Sequence, residues 1–215
     1  VDTGLSNDSI SIGGVLQTTQ ISTDAGNDTI NFVTGGTSVS IFAGSGNDVL
    51  TFGSSAISSS DSLLGGVGND SFDFDGNVTS TTAVGGSGND TFVCANTATG
   101  AYVSGDAAND SIYFASELES GSSINGGAGA DTLYFSAGVT GSAVSAGLGA
   151  DSVVFNGVVS NATVTGSNAA DSLIFSSSAD VVSLDGSIGA GYIVGGSGAD
   201  RLVCLSGAAT GGGAI

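Results

Sequence analysis

The chain of 215 residues has no proline, histidine, methionine or tryptophan, only two cysteines, and a single basic side chain, Arg201. Each shortage excludes something. Phosphate binding needs Lys and Arg, so nucleic acid and anionic membrane surfaces are poor partners for a chain of net charge −19. Without histidine a serine nucleophile has no imidazole base. No apolar run approaches the ~18 residues of a membrane span. At 40% hydrophobic residues the chain is still too apolar for a disordered acidic tail. It opens on Val1 without a signal-peptide pattern, which points to a processed form or a segment of something larger.

What the chain does have is glycine, 38 residues of it, and aspartate on a fixed step. The repeat aspartates are Asp8, Asp28, Asp48, Asp70, Asp90, Asp110, Asp131, Asp151 and Asp171, spaced 20, 20, 22, 20, 20, 21, 20 and 20 residues apart. A further step of 20 lands on Gly191, and a last copy, Gly195-Gly196-Ser197-Gly198-Ala199-Asp200, ends nine residues after it. A period near twenty is the signature of a solenoid.

Each unit carries two alternating apolar segments. Pairs such as Ile30 and Phe32, Leu50 and Phe52, or Leu133 and Phe135 follow the Asp at its second and fourth positions. Val39 and Ile41, Ala101 and Val103, Ala162 and Val164, and Val182 and Leu184 precede the next Asp by nine and seven. Period-two alternation of this kind predicts strands. One coil then supplies two strands of opposite direction whose apolar faces are buried only when coils stack. The expected fold is an all-β parallel solenoid of about ten coils. At ~4.8 Å per coil it makes a rod near 50 Å long. It forms one unit over residues 1–215, with an irregular tail at 205–215. Glycines at the first, second and fourth turn positions are expected to supply positive φ. The longer steps place insertions near Gly53–Ser60 and Ala115–Ser123, on the edge away from the Asp. Cys94 and Cys204 both stand at the fourth position after an Asp, where most coils have Phe. At ~26 Å apart they are expected to be core residues, not a disulfide.

Stacking sets one Asp above another along one edge. Two carboxylates ~4.8 Å apart repel by roughly 3.5 kcal/mol at an effective dielectric of 20, and one Arg cannot offset nine of them. A divalent cation between successive turns resolves the conflict. Oxygen donors on flexible loops that also offer carbonyls favour calcium over magnesium. Asp is also a common turn former, but that role alone does not require nine copies at one register.

The stretches Gly65–Asp73, Gly85–Val93, Gly126–Tyr134 and Gly195–Val203 match the pattern G-G-x-G-x-D-x-hydrophobic-x, and Ala43–Thr51 and Ala146–Val154 match with Ala at the first position. In this the chain resembles the RTX, or haemolysin-type calcium-binding, repeat proteins. The resemblance implies a right-handed parallel β-roll with Ca2+ ions stacked between successive turns on one edge. The implied ligands are the carboxylates of the nine repeat aspartates and Asp200, with backbone carbonyls of the glycine turns: Gly26, Gly44, Gly46, Gly66, Gly68, Gly86, Gly88, Gly127, Gly129, Gly147, Gly149, Gly196 and Gly198. Asp24 and Asp106 could add ligands beside Asp28 and Asp110. It further implies export to the cell exterior, commonly by a type I system. Two departures stand out: the loops load one edge until the last copy, and Gly191 interrupts the column.

Nothing in the residue inventory points to catalysis. Asp73 and Asp75 are the nearest approach to a carboxylate pair, but they alternate on one strand. The expected function is a non-enzymatic, calcium-stabilised structural protein of the bacterial surface, a surface-layer or filament subunit that self-associates. The alternatives are a stalk or binding segment of a large RTX adhesin, with cell-surface polysaccharide as a candidate partner, or the calcium-binding secretion domain of an exported enzyme.

Overall fold

The computed structural model describes residues 1–34, 36–54, 57–58, 60–167, 169–175, 181–185, 191–195 and 201–204. Gly196, Gly198, Asp200 and the tail at 205–215 lie outside the described residues. Among the described residues every element is a strand, and every pairing is parallel.

The segments that follow each Asp form one ten-stranded sheet, running in sequence order from Ser9–Ile12 through Thr29–Phe32 and Thr91–Cys94 to Tyr192–Val194. Its register is that of the repeat: Ile30 lies beside Leu50, Leu50 beside Phe72, and Phe32 beside Phe52. The second- and fourth-position side chains point inward and are buried, while those between them face out. The return segments, such as Ser62–Val67 and Thr82–Ser87, build the opposite sheet. The chain is thus a parallel β-solenoid, as its period predicts.

The coil also has a third side. Short strands at Val78–Thr79, Ala98–Thr99, Leu118–Glu119 and Val139–Thr140 stack along the far edge and bury Val78, Ala98, Leu118 and Val139. The corner that follows them turns through a left-handed residue in coil after coil: Thr18, Ser38, Ser60, Ser80, Gly100, Gly121, Gly141 and Asn161 all have positive φ. Only three of the eight are glycine, so composition gave no sign of this corner. Left-handed backbone costs a non-glycine residue about 1–2 kcal/mol. Here hydrogen bonds between coils hold it in place, as from the Ser80 N–H to the Thr99 carbonyl at 2.9 Å.

Both insertions fall on this edge. Ile57 pairs with Val78, one residue later in its coil than Val78 is, and Ser62 pairs with Thr82 two residues later. The 22-residue step is therefore divided, one residue on each side of the short strand. The extra residue of the 21-residue step lies between Glu119 and Ser123, in a turn at Ser120–Gly121.

The core is a set of ladders. Phe32, Phe52 and Phe74 stack at 5.1 Å between ring centroids, and Phe114, Phe135, Phe155 and Phe175 at 4.9–5.5 Å. Cys94 occupies the gap between the two stacks, buried and free. In its coil the second position widens to Phe92, which stacks on Phe72 at 4.5 Å. The preceding coil, with both Phe72 and Phe74, narrows to Ala83 on its return strand. Volume is conserved within coils, not within ladders.

Cys204 does not continue the Phe ladder. The strand Arg201–Cys204 pairs with Val181–Asp185 in the second sheet, with Cys204 beside Leu184. The reason is the nine-residue step from Gly191 to Asp200, about half a coil, which carries the chain across the solenoid. Cys94 and Cys204 thus lie in different sheets.

Replacing Cys94 by Phe, the residue that most coils carry there, is expected to destabilise the protein by about 1–3 kcal/mol through overpacking against Phe92. The urea midpoint of the calcium-saturated protein measures this; a midpoint at or above that of the parent chain would refute the volume argument.

Candidate metal centre

Stacking brings the repeat aspartates into a buried column. Asp28, Asp48, Asp70, Asp90, Asp110, Asp131, Asp151 and Asp171 are each 3% exposed or less. Each carboxylate accepts, through Oδ1, the backbone N–H of the Asp one coil earlier. Asp8 donates to Asp28 at 2.7 Å, Asp70 to Asp90 at 2.7 Å, Asp110 to Asp131 at 2.8 Å, and Asp151 to Asp171 at 3.2 Å. The other oxygen, Oδ2, is buried without a hydrogen-bond partner in Asp8, Asp28, Asp48, Asp70, Asp90, Asp110, Asp131 and Asp151. An unsatisfied buried polar atom is uncommon, and eight in one row need a common cause.

The first turn position shows where these oxygens point. At Gly65, Gly105 and Gly126 two oxygens lie within 2.7 Å of the place a Cβ would take: Oδ2 of the same coil's Asp, and the carbonyl of the next coil's first position, Gly85, Gly126 and Ala146 respectively. None of these three glycines has positive φ. The first glycine is there for space, contrary to the expectation from the sequence, whereas the second and fourth do have positive φ, as at Gly66 (117°) and Gly68 (134°).

The carbonyls of the second and fourth positions stand where a Cβ would go on the matching glycine one coil on: Gly44 at Gly66, Gly46 at Gly68, Gly66 at Gly86, and Gly127 at Gly147. Gly26, Gly88, Gly129 and Gly149 belong to the same rows. Second-position carbonyls also accept N–H groups, as Gly127 does from Leu148 at 2.6 Å. The carbonyls brought beside the orphaned carboxylate oxygens are those of the first position, so Gly85, Gly126 and Ala146 join the candidate ligand environment. The G-G opening of the pattern was the available signal for them.

Asp24 and Asp106 stand apart from the column. Both are exposed, and each accepts a hydrogen bond from a serine two residues upstream, Ser22 at 2.6 Å and Ser104 at 2.5 Å. Asp171 closes the column, because its Oδ2 accepts the N–H of Ser167 at 2.7 Å and Gly191 offers no carboxylate to its own N–H. The asparagines before the repeat aspartates form an antiparallel companion ladder. Their Oδ1 atoms accept the N–H of the following coil, from Asn7 accepting Asn27 to Asn109 accepting Ala130, where the row ends.

Burial raises six of these carboxyls against the lowering effect of the accepted N–H. Asp90 is pushed up to about 7, with neighbouring Asp70, Asp110 and Asp106 adding to the shift. Asp70, Asp110 and Asp151 are pushed up to about 6, and Asp48 and Asp131 are raised as well. A further buried acid, Asp61, lies on the opposite edge, where its Oδ1 accepts the Val39 N–H at 2.6 Å and its pKa is raised by burial.

The donor set fits a hard divalent cation. It is oxygen throughout, carboxylate plus backbone carbonyl, with one orphaned carboxylate oxygen per turn. Among the described residues no three acidic or thiol groups converge on one point, so the carbonyls must complete any coordination shell. Calcium takes six to eight such ligands. Bound there, it would neutralise the column and tie each turn to the next.

Residues 31–56, 122–139 and 183–203 match the RTX calcium-binding nonapeptide repeat, in four copies. The chain carries RTX calcium-binding repeats. No curated protein and no solved structure matches it. The matched stretches hold the RTX turns that end at Asp48, Asp131 and Asp200, so two of the three fall on the buried column described above.

Two outcomes follow for the RTX column. The Asp70, Asp90, Asp110 and Asp151 carboxyls have folded-state pKa values above the unfolded value of about 4, so their contribution to stability is complete below pH ~4 and is lost as pH rises through about 6–7. Calcium needs the deprotonated form. The Tm of the chelated protein should therefore fall between pH ~4 and ~7, while the increment from saturating calcium grows over the same window; parallel profiles with and without calcium would contradict this. Asp90→Asn keeps an Oδ1 for the Asp70 N–H but removes the charge. It should raise the Tm of the chelated protein above pH ~7 and lower the calcium stoichiometry measured by titration calorimetry.

Proposed function

We propose that this chain is a calcium-stabilised structural segment of an extracellular protein, a subunit of a surface layer or surface filament. The observation that carries the reading is the row of eight orphaned carboxylate oxygens, which makes the rod's integrity depend on a cation abundant outside the cell. RTX repeat proteins are generally exported by type I systems, consistent with that location. No helix among the described residues is long and apolar enough to cross a membrane.

A non-enzymatic role accords with the surface. A groove of about 760 Å³ among the described residues is a shallow trough over the second-position glycines, lined by Gly86, Asp106, Asn125, Gly127, Ser145 and Leu148 among others. Its lining has one carboxylate, Asp106, and no second titratable side chain beside it. A stalk segment of a large RTX adhesin is the second reading, favoured by the uniformity of the coil. The secretion domain of an exported enzyme fits less well, because the coil loads a single edge over nine successive aspartates.

Negative-stain electron microscopy of chelated protein, then of the same sample returned to millimolar calcium, tests the proposal. Sheets or filaments that form only with calcium are the expected result. Dispersed single rods in calcium would favour the adhesin segment, and rods that persist under chelation would refute the dependence on the cation.

A further inference from the structure

The outward row of the ten-stranded sheet changes character along the solenoid. In its first four strands the row reads Ser11, Asn31, Thr51 and Asp73, as expected of a sheet face in water. In the next six it reads Val93, Tyr113, Tyr134, Val154, Ile174 and Val194, a continuous apolar stripe. Tyr113 and Val194 are 36% and 45% exposed. The row beside it is Thr91, Ser111, Thr132, Ser152 and Ser172, again without charge. This half of the face is free of charge on a chain with 20 acids and one base.

We propose that this stripe is a lateral contact between two copies of the chain, packed face to face about a two-fold axis. The inference rests on the assembly reading above and names the surface it would use. Molecules of charge −19 repel, and they approach most easily where neither presents a carboxylate. A basic partner would be drawn instead to the acidic edges, to Asp75, Glu117 and Glu119. A sugar ring would need a free aromatic face, but Tyr113 and Tyr134 stack on each other with centroids 5.5 Å apart. The surface that complements an uncharged stripe of stacked Tyr and β-branched residues is the same stripe on a second copy, the self-matching geometry of an isologous interface. The six strands that carry the stripe measure about 29 by 13 Å, roughly 380 Å². That is below the ~800 Å² per partner of a stable complex, so the contact is weak alone and suited to repetition in an array.

Sedimentation equilibrium of the full chain in calcium, over a wide concentration range, tests it. The parent chain should show a reversible monomer–dimer equilibrium. Val154→Asp combined with Ile174→Asp places like charges opposite one another and should shift the midpoint at least about tenfold higher in concentration. Thr51→Asp, outside the stripe, should leave it unchanged, and calcium-dependent melting confirms that each variant folds. A parent chain that stays monomeric would overturn the proposal, including one retained on insoluble polysaccharide. So would a double variant that dimerises as the parent does. Arrays built equally well by the double variant would overturn the stripe while leaving the assembly reading intact. A stripe-dependent dimer without arrays would support the stripe and defeat that reading.

Discussion

The structure depends on how each buried carboxylate divides its two oxygens. One accepts the backbone N–H of the aspartate a coil earlier and so fixes the register between turns. From Asp8 to Asp151 the other is left without a partner, and at Gly65, Gly105 and Gly126 it shares with the next coil's carbonyl the space opened by a missing side chain. The first oxygen makes the column a structural ladder in its own right. The second makes that ladder costly without a cation, because each coil adds a buried acid and the chain has a single base. A cation bound along the column would therefore couple folding to metal binding, as expected where a site is created by the fold that it stabilises.

The remaining features follow from the same stacking constraint. Parallel register puts like positions in contact, so side chains are selected as ladders: phenylalanines in the core, aspartates at the turn, asparagines outside it. Where a ladder is broken, the compensation comes from within the coil, as Phe92 shows beside Cys94. Insertions are absorbed at the far edge, where the corner is held mainly by backbone bonds and Ser120–Gly121 can bulge without disturbing the column. The two ladders at the turn run in opposite senses, so each turn is tied to the coils on both sides of it.

Much of this was legible in the residues. The step between aspartates equals one coil, so spacing alone says which residues meet, and alternation at the second and fourth positions says which face inward. Oxygen-only donors and the lack of histidine point to the class of cation. Other expectations failed for identifiable reasons. Cys204 was assigned to the Phe ladder because it follows an aspartate by four residues, yet the half-coil step before Asp200 places it in the opposite sheet. The first glycine was assigned to positive φ because glycine commonly supplies it, yet its role is to leave space for a carboxylate.

The sequence by itself determined the period, the parallel stacking, the ladders at the second and fourth positions as far as Asp171 and an oxygen-only donor set, because each follows from counting residues and charges. Only the tertiary structure decided which carboxylate oxygen is free, which carbonyl it meets, and that Asp24 and Asp106 turn outward to nearby serines. It also decided the third side of the coil and its left-handed corner. These depend on backbone dihedrals at the turns, where Ser, Thr, Asn and Gly adopt the same φ region at equivalent positions. Spacing specifies which residues are neighbours; the dihedrals specify which atoms face each other.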